Sequence, residues 1–323
     1  MSDKTKVMIG LESKTFDNYA LDCYRNCPMY YYCRIVKKVV KVGDSKPAAD
    51  FGKLIHSALE HHYKNGMTEQ SAVEAIELFT ILYQTKIPAS QEMSEKRSLG
   101  KGLEILSNYF LRYKHEPFSV IEPEVGGACE LGEYLYTVRL DLVVDWHDPK
   151  GIYGFDHKTT SSLPYLIAKP NNQITGYDYY LKQVYTNVLG YMVNGIGIYT
   201  TDEEMDKSAP KVLSPKSGKM IYAKKKRETF LRLPTSRSQV ELDQWKRETL
   251  HLIHQIEVAM EKGVWIKHAP QYCTAYRGKC QYLDLCLAQD VDAILQPLLA
   301  VGVYEVKPWT PYFGVDEEKE EEV

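Results

Sequence analysis

Residues 133–158 constrain the fold more than any other stretch of this chain. Two apolar runs flank the turn His147-Asp148-Pro149-Lys150-Gly151, and the second ends in Asp156-His157-Lys158. Strand side chains alternate faces with period two, and the Pro and Gly of the turn make the two runs a hairpin. On the first strand Tyr134, Tyr136, Val138, Leu140, Leu142 and Val144 are expected on one face, with Arg139, Asp141 and Asp145 on the other. On the second, Asp156 and Lys158 share a face with Gly154. Two carboxylates and an ammonium therefore converge. The chain holds two further D-x-K matches, Asp44–Lys46 and Asp148–Lys150, but they lie in a polar stretch and in the turn itself. A short motif counts only in its structural context, and only the third continues a strand.

Oxygen ligands of this kind suit Mg²⁺ or Mn²⁺, which bind a few carboxylates and keep waters for a substrate phosphate. Such an ion polarises a phosphoryl oxygen and lowers the pKa of a water nucleophile. A lysine beside it orients that water or neutralises developing charge. The competing reading is a solvated face on an ordinary hairpin.

At 323 residues, 44% of them hydrophobic, the chain has the material for one large domain or two modest ones. No apolar run approaches the ~20 residues of a membrane helix, and the N-terminus lacks an apolar targeting core. The expectation is a soluble, cytoplasmic protein with no membrane partner. The net charge of −3 conceals an uneven distribution. Residues 316–323 hold six acids and one lysine, leaving +2 on the remainder, whereas residues 206–232 carry nine Lys/Arg against Asp206 and Glu228. A basic stretch of that kind, with Pro, Ser and Gly, is expected to be an exposed loop or hairpin able to meet phosphates. The acidic tail is expected to be disordered.

Apolar periodicity predicts a helical segment over 15–36, a polar loop over 43–50, and an amphipathic helix from Phe51 to Tyr63. It predicts further helices over about 68–86 and 94–115. Strands are expected near 119–129, 133–146 and 151–158. A helix over 173–193, a strand over Ile196–Thr200, a strand around 228–233 and a long helix over 239–262 follow. Helices, then a meander, then helix and strand indicate an α/β fold with a mixed sheet.

Seven cysteines in a reducing compartment are thiols or metal ligands rather than disulfides. Cys273, Cys280 and Cys286 fall within fourteen residues, which tetrahedral metal or iron–sulfur ligation would explain. The fourth ligand would be Cys27 or Cys23, one helical turn earlier; Cys33 is a weaker candidate and Cys129 reads as a core thiol. Zinc takes the same ligands, and buried free thiols are the plain alternative.

Taken in order, these residues resemble the PD-(D/E)XK nuclease superfamily, in its RecB/AddB-like iron–sulfur branch of phage-type and CRISPR-associated exonucleases. The resemblance runs from about Ser13 to Cys286. Cys27-Pro28 followed by aromatics resembles the N-terminal cluster cysteine, and Gly52 to His56 resembles the G-x-x-x-H helix. Glu124, with Glu122 in competition, resembles a family acidic position. Asp141 and Asp156-x-Lys158 resemble the catalytic core, and Gln173 to Tyr177 the Q-x-x-x-Y motif. Related enzymes often space the first two C-terminal cysteines more closely than the six residues found here.

The resemblance implies a restriction-endonuclease-like α/β core, a mixed central sheet flanked by helices, with an Fe–S-stapled N- and C-terminal helical segment. The domain would span 1–315, with cluster segments at about 13–36 and 264–290. It implies a metal-dependent deoxyribonuclease, an exonuclease acting in DNA recombination and repair or phage DNA processing. The alternative is an inactive iron–sulfur- or zinc-stabilised DNA-binding subunit or adaptor. His56, Asp141, Asp156 and the His157 carbonyl would hold Mg²⁺ or Mn²⁺, and Lys158 would position water. Gln173, Tyr177 and Glu124 would support the site. Cys27, Cys273, Cys280 and Cys286 would hold a 4Fe–4S cluster, with zinc as the alternative. The partner would be DNA, single-stranded or with free ends, alongside a helicase or recombination protein.

Overall fold

A computed structural model describes residues 14–43, 47–87, 93–163, 171–214, 218–267, 273–274 and 279–310. The acidic tail, Lys46 and Lys216 lie outside the described residues.

The chain opens with strand β1 (Thr15–Asp17), helix α1 (Asn18–Asn26), the short helix α2 (Pro28–Tyr31) running into a π turn, and strand β2 (Val39–Lys41). Three helices follow, α3 (Pro47–Lys64), α4 (Glu69–Lys86) and α5 (Leu99–Arg112). Then come β3 (Phe118–Leu131), β4 (Tyr134–His147), β5 (Lys150–Thr160), helix α6 (Asn172–Val184) and β6 (Val188–Gly197). An excursion of short strands, β7 (Glu203–Met205), β8 (Val212–Leu213), β9 (Met220–Ile221) and β10 (Lys224–Lys226), leads to β11 (Phe230–Thr235). Helices α7 (Gln239–Lys262), α8 (Leu283–Leu287) and α9 (Val291–Ala300) and strand β12 (Tyr304–Val306) complete the order.

The fold is mixed α/β. Six strands form the central sheet: β3 and β5 flank β4 antiparallel, β1 runs parallel to β4, β6 parallel to β5, and β11 antiparallel to β6. Parallel pairing of β5 with β6 requires a crossover, which α6 provides. One face packs on α1, α6 and α7 through Leu21, Leu181, Tyr191 and Ile253. The other packs on α3, α4 and α5 through Phe51, Phe79, Leu106 and Phe155. A third, smaller core of Met29, Cys33, Val39, Tyr282, Leu285 and Tyr304 joins the ends of the chain. There β12 pairs antiparallel with β2, and the Tyr282 hydroxyl donates to the Val39 carbonyl at 2.6 Å. Hydrogen bonds and packing therefore tie the terminal segments together. Among the described residues no helix is long and apolar enough to cross a membrane.

The structure revises several sequence expectations. The helix expected over 173–193 ends at Val184; Asn187 turns with φ 54°, and β6 starts at Val188. The long run of buried apolar side chains that suggested helix belongs to a strand covered on both faces. Helix α3 starts at Pro47, inside the expected 43–50 loop, where a proline ring fits the first turn. The single alternation expected along β4 breaks near Asp141. Tyr134, Tyr136, Val138 and Leu140 face the α6 side, but so does Val143, whereas Leu142 and Val144 face α3. The basic stretch forms hairpins, as expected, and three of its cations are engaged locally: Lys224 pairs with Glu203, Lys225 with Glu204 and Asp206, and Arg227 with Glu204.

Candidate active site

A fork in the sheet presents Asp141. Along one edge of β4, β1 pairs as far as Thr137 and β5 pairs from Leu142 onward, while β3 covers the other edge. The backbone between is left without a strand partner on that edge, and the Asp141 carboxylate takes the β5 amide instead. The His157 backbone N–H donates to Asp141 Oδ2 at 2.6 Å. The break in alternation is the local signature of this fork.

Helix α3 brings His56 to the same place. Gly52 makes the approach possible, because a Cβ there would come 2.9 Å from Thr159 Oγ1 on β5. One turn on, His56 Nδ1 stands 3.3 Å from Asp141 Oδ1. Burial opposes the Asp141 charge, but His56 and the His157 N–H outweigh it and hold its pKa below the usual carboxylate range. Asp141 in turn overcomes the burial that would discharge His56 and raises its pKa.

Asp156 is buried, at 6% exposure. Burial pushes its pKa up, the Lys158 ammonium opposes this, and the Asp141 charge adds to it. Lys158 Nζ lies 2.9 Å from Asp156 Oδ2, yet that oxygen has no aligned hydrogen-bond donor. Burial works against the Lys158 charge, but Asp156 outweighs it and keeps the side chain an ammonium. A general base would need the opposite shift.

Glu124, on β3, stands opposite Asp141 on β4, between the pairs Pro123–Leu142 and Val125–Leu140. Its backbone φ of 47° is left-handed, a conformation costing about 1–2 kcal/mol for a residue with a side chain. The carboxylate accepts from Arg139 Nε at 2.8 Å, and burial, then Asp141, raises its pKa. Glu122 instead points to solvent. Helix α6 brings Gln173 and Tyr177, whose side chains meet at 3.1 Å from Gln173 Nε2 to the Tyr177 hydroxyl. Burial, then the Asp156 charge, raises the Tyr177 pKa, and its ring packs on Tyr191 with 5.4 Å between centroids.

The His157 ring turns the other way, into a buried polar chain that the sequence did not suggest. Asn194 Nδ2 lies 2.7 Å from His157 Nδ1 and donates to the Tyr109 hydroxyl at 2.8 Å. The Tyr109 and Tyr63 hydroxyls are 2.8 Å apart, and Tyr63 donates to Glu116. Arg232 grips Glu116 with two bonds of 2.6 Å. Burial, acting first, lowers the His157 pKa to about 3, so the ring is neutral. Its only sequence signal is the helical spacing of Tyr63, seven residues beyond His56; Glu116 and Arg232 are far apart in the chain.

Hard anionic oxygens suit a divalent cation. The buried Asp156 Oδ2 without an aligned donor, beside the Asp141 charge, is the observation that fits one. As they stand, no three His, Cys, Asp or Glu among the described residues are gathered closely enough to grip an ion.

Around the third core, Cys27, Cys273, Cys280 and Cys286 are each half-buried. Burial first raises the pKa of Cys280 and Cys286, and the charges of Cys27 and Cys273 add to both. Cys33, fully buried, senses Cys286, Cys280 and Cys27. Cys23 sits elsewhere, with Tyr19 and Arg34, and burial pushes its thiol to about 12. Cys129 is in the sheet core.

A family model described as the PD-(D/E)XK nuclease superfamily matches residues 19–287. Among solved structures, the crystal structure of SSO0001 is similar at 12% identity over 62% of this chain and 74% of that one, with a TM-score of 0.24. A likeness that slight carries no argument. No curated protein matches.

Proposed function

We propose that this chain, which belongs to the PD-(D/E)XK nuclease superfamily, is a divalent-metal-dependent deoxyribonuclease that degrades DNA from free ends. The observation that carries the reading is the meeting of Asp141, buried Asp156 and the Lys158 ammonium at the sheet fork. His56, Asp141, Asp156 and the His157 carbonyl would hold Mg²⁺ or Mn²⁺, which supplies Lewis acidity to a water and to the phosphoryl oxygens. The protein's own groups do the rest. Lys158, kept charged by Asp156, orients the attacking water and offsets charge on the phosphate. Water attacks phosphorus in line as the P–O ester bond breaks; the proton the water gives up passes to solvent, and solvent returns one to the leaving oxygen. Gln173 and Tyr177 hold the Asp156 side of the site, and Glu124 supports Asp141.

We further assign the chain to the RecB/AddB-like branch with a 4Fe–4S cluster on Cys27, Cys273, Cys280 and Cys286, zinc being the alternative. Support comes from the packing of Cys27, Cys280 and Cys286 against one core, with the Cys280 N–H donating to the Cys273 carbonyl at 2.7 Å. The cluster reinforces the β2–β12 junction and takes no part in hydrolysis, which transfers no electrons. A role on cytoplasmic DNA in recombination, repair or phage DNA processing, beside a helicase or recombination partner, follows from the same resemblance.

End-labelled linear DNA and closed single-stranded circles, each with Mn²⁺, Mg²⁺ or EDTA, test the reading. Metal-dependent shortening of the linear strand, with circles spared, is expected. Cut circles would replace the exonuclease with an endonuclease. DNA binding without cleavage under any metal would leave an inactive binding subunit.

A further inference from the structure

Helix α3 carries His56 on a face that continues toward its N-terminus. Residues three and seven positions apart lie on one side of a helix, so Lys53 and Ala49 extend the His56 face by one and two turns. At ~1.5 Å per residue they reach about 4.5 and 10.5 Å beyond His56 along the helix axis. There they line a groove of about 500 Å³ between α3, the start of α1 and the β2–β12 ribbon.

Its walls are charged and aromatic. Arg34, Lys41, Lys53 and Lys307 line it, against the acids Asp50 and Glu305. Tyr19 stands at its side, 44% exposed. The Arg34 guanidinium lies 5.8 Å from the Tyr19 ring centroid; its Nε donates to the Tyr19 hydroxyl at 3.2 Å and its Nη1 to the Lys307 carbonyl at 2.8 Å. Ring and guanidinium are thus held together as a platform. An exposed aromatic beside a net-positive groove is the pairing that single-stranded nucleic acid selects, because every unpaired base offers a face for stacking and every phosphate a charge. A duplex hides its base faces and gives Tyr19 nothing to stack on.

We propose that this groove is the track for the single strand next to the scissile phosphate, with a base stacked on Tyr19 and phosphates on Lys53, Lys307 and Arg34. The proposal rests on the nuclease reading for its substrate. It differs from the sequence expectation, which gave phosphate contact to residues 206–232.

The test is binding of a fluorescent oligothymidylate in EDTA, read by anisotropy across a salt series, so that no cleavage is needed. Each phosphate contact on a single strand contributes about 0.7 to the slope of log K against log salt. Lys53→Gln with Lys307→Gln is expected to reduce that slope by about 1.4. Tyr19→Leu is expected to weaken binding on the order of tenfold to a hundredfold while leaving the slope alone. All three positions are exposed, and melting curves check that the variants fold. Unchanged affinity and slope in folded variants would overturn the track, as would equal loss on a blunt duplex. If the variants lose affinity but the wild type never cleaves DNA, the groove stands and the nuclease reading falls.

Discussion

The backbone N–H of His157 donates to Asp141 Oδ2 at 2.6 Å, although the two residues belong to strands that have already stopped pairing. This bond fixes the position of Asp141 relative to the backbone between Asp156 and Lys158. It also splits His157 between two tasks. Its backbone serves the site, and its ring anchors the strand from behind by meeting Asn194.

Asn194 is therefore expected to matter to both stability and activity. Asn194→Leu leaves His157 Nδ1 and the Tyr109 hydroxyl short of a partner in a buried place, and each such loss costs about 1–3 kcal/mol. Urea denaturation should show a loss in that range, and turnover should fall with little change in KM for DNA. Full turnover in the folded variant would reduce the chain of hydrogen bonds to scaffolding.

His62 makes stability depend on pH. It is buried against Phe110, with Ser71 Oγ 3.0 Å from Nδ1. Burial, then the His61 charge, lowers its pKa from 6.5 to about 4. Above about 6.5 both folded and unfolded chains hold it neutral, so it has no effect on stability there. As pH falls below that value the unfolded chain takes a proton the folded one refuses, and stability is lost until about pH 4. The slope from this one group is at most about 1.4 kcal/mol per pH unit. His62→Gln should flatten the curve of unfolding free energy between pH 6.5 and 4 relative to wild type; an unchanged slope contradicts the assignment.

The cysteines divide into sets that metal analysis can separate. In anaerobically purified protein, Cys27→Ser, Cys280→Ser and Cys286→Ser are expected to lose iron and its visible absorbance, and to melt at lower temperature. Cys129→Ser, in the sheet core, should keep both. Zinc in place of iron would select the alternative metal, and wild type with neither would remove the cluster.

Strands β3 to β5 and helix α7 could be read from the sequence because local pattern and long-range packing agree there. The expected bounds of α7, 239–262, match those in the structure, capped by Ser238 and Glu241 and ended by Gly263 at φ 63°. Periodicity failed where tertiary structure decides. Residues 188–193 are apolar on both faces because α6 covers one side and α3 with α5 the other, so strand and helix look alike. Strict alternation in β4 hid the fork, because a strand that changes neighbours need not keep one phase. The motif residues Asp156 and Lys158 were visible, but the reason His157 stands between them was not. Asn194, Tyr109, Glu116 and Arg232 hold that ring from distant parts of the chain, and nothing local marks them.

Single-turnover cleavage of end-labelled DNA in saturating Mn²⁺ by wild type and by Lys158→Ala tests the nuclease site most directly. Removing one preorganised charge from a site of this kind typically costs about 10²–10³ in rate. Lys158→Ala is expected to lose at least that much rate with DNA binding retained. Cleavage at the wild-type rate by the folded Lys158→Ala protein would show that the Asp141, Asp156 and Lys158 cluster does not perform the reaction.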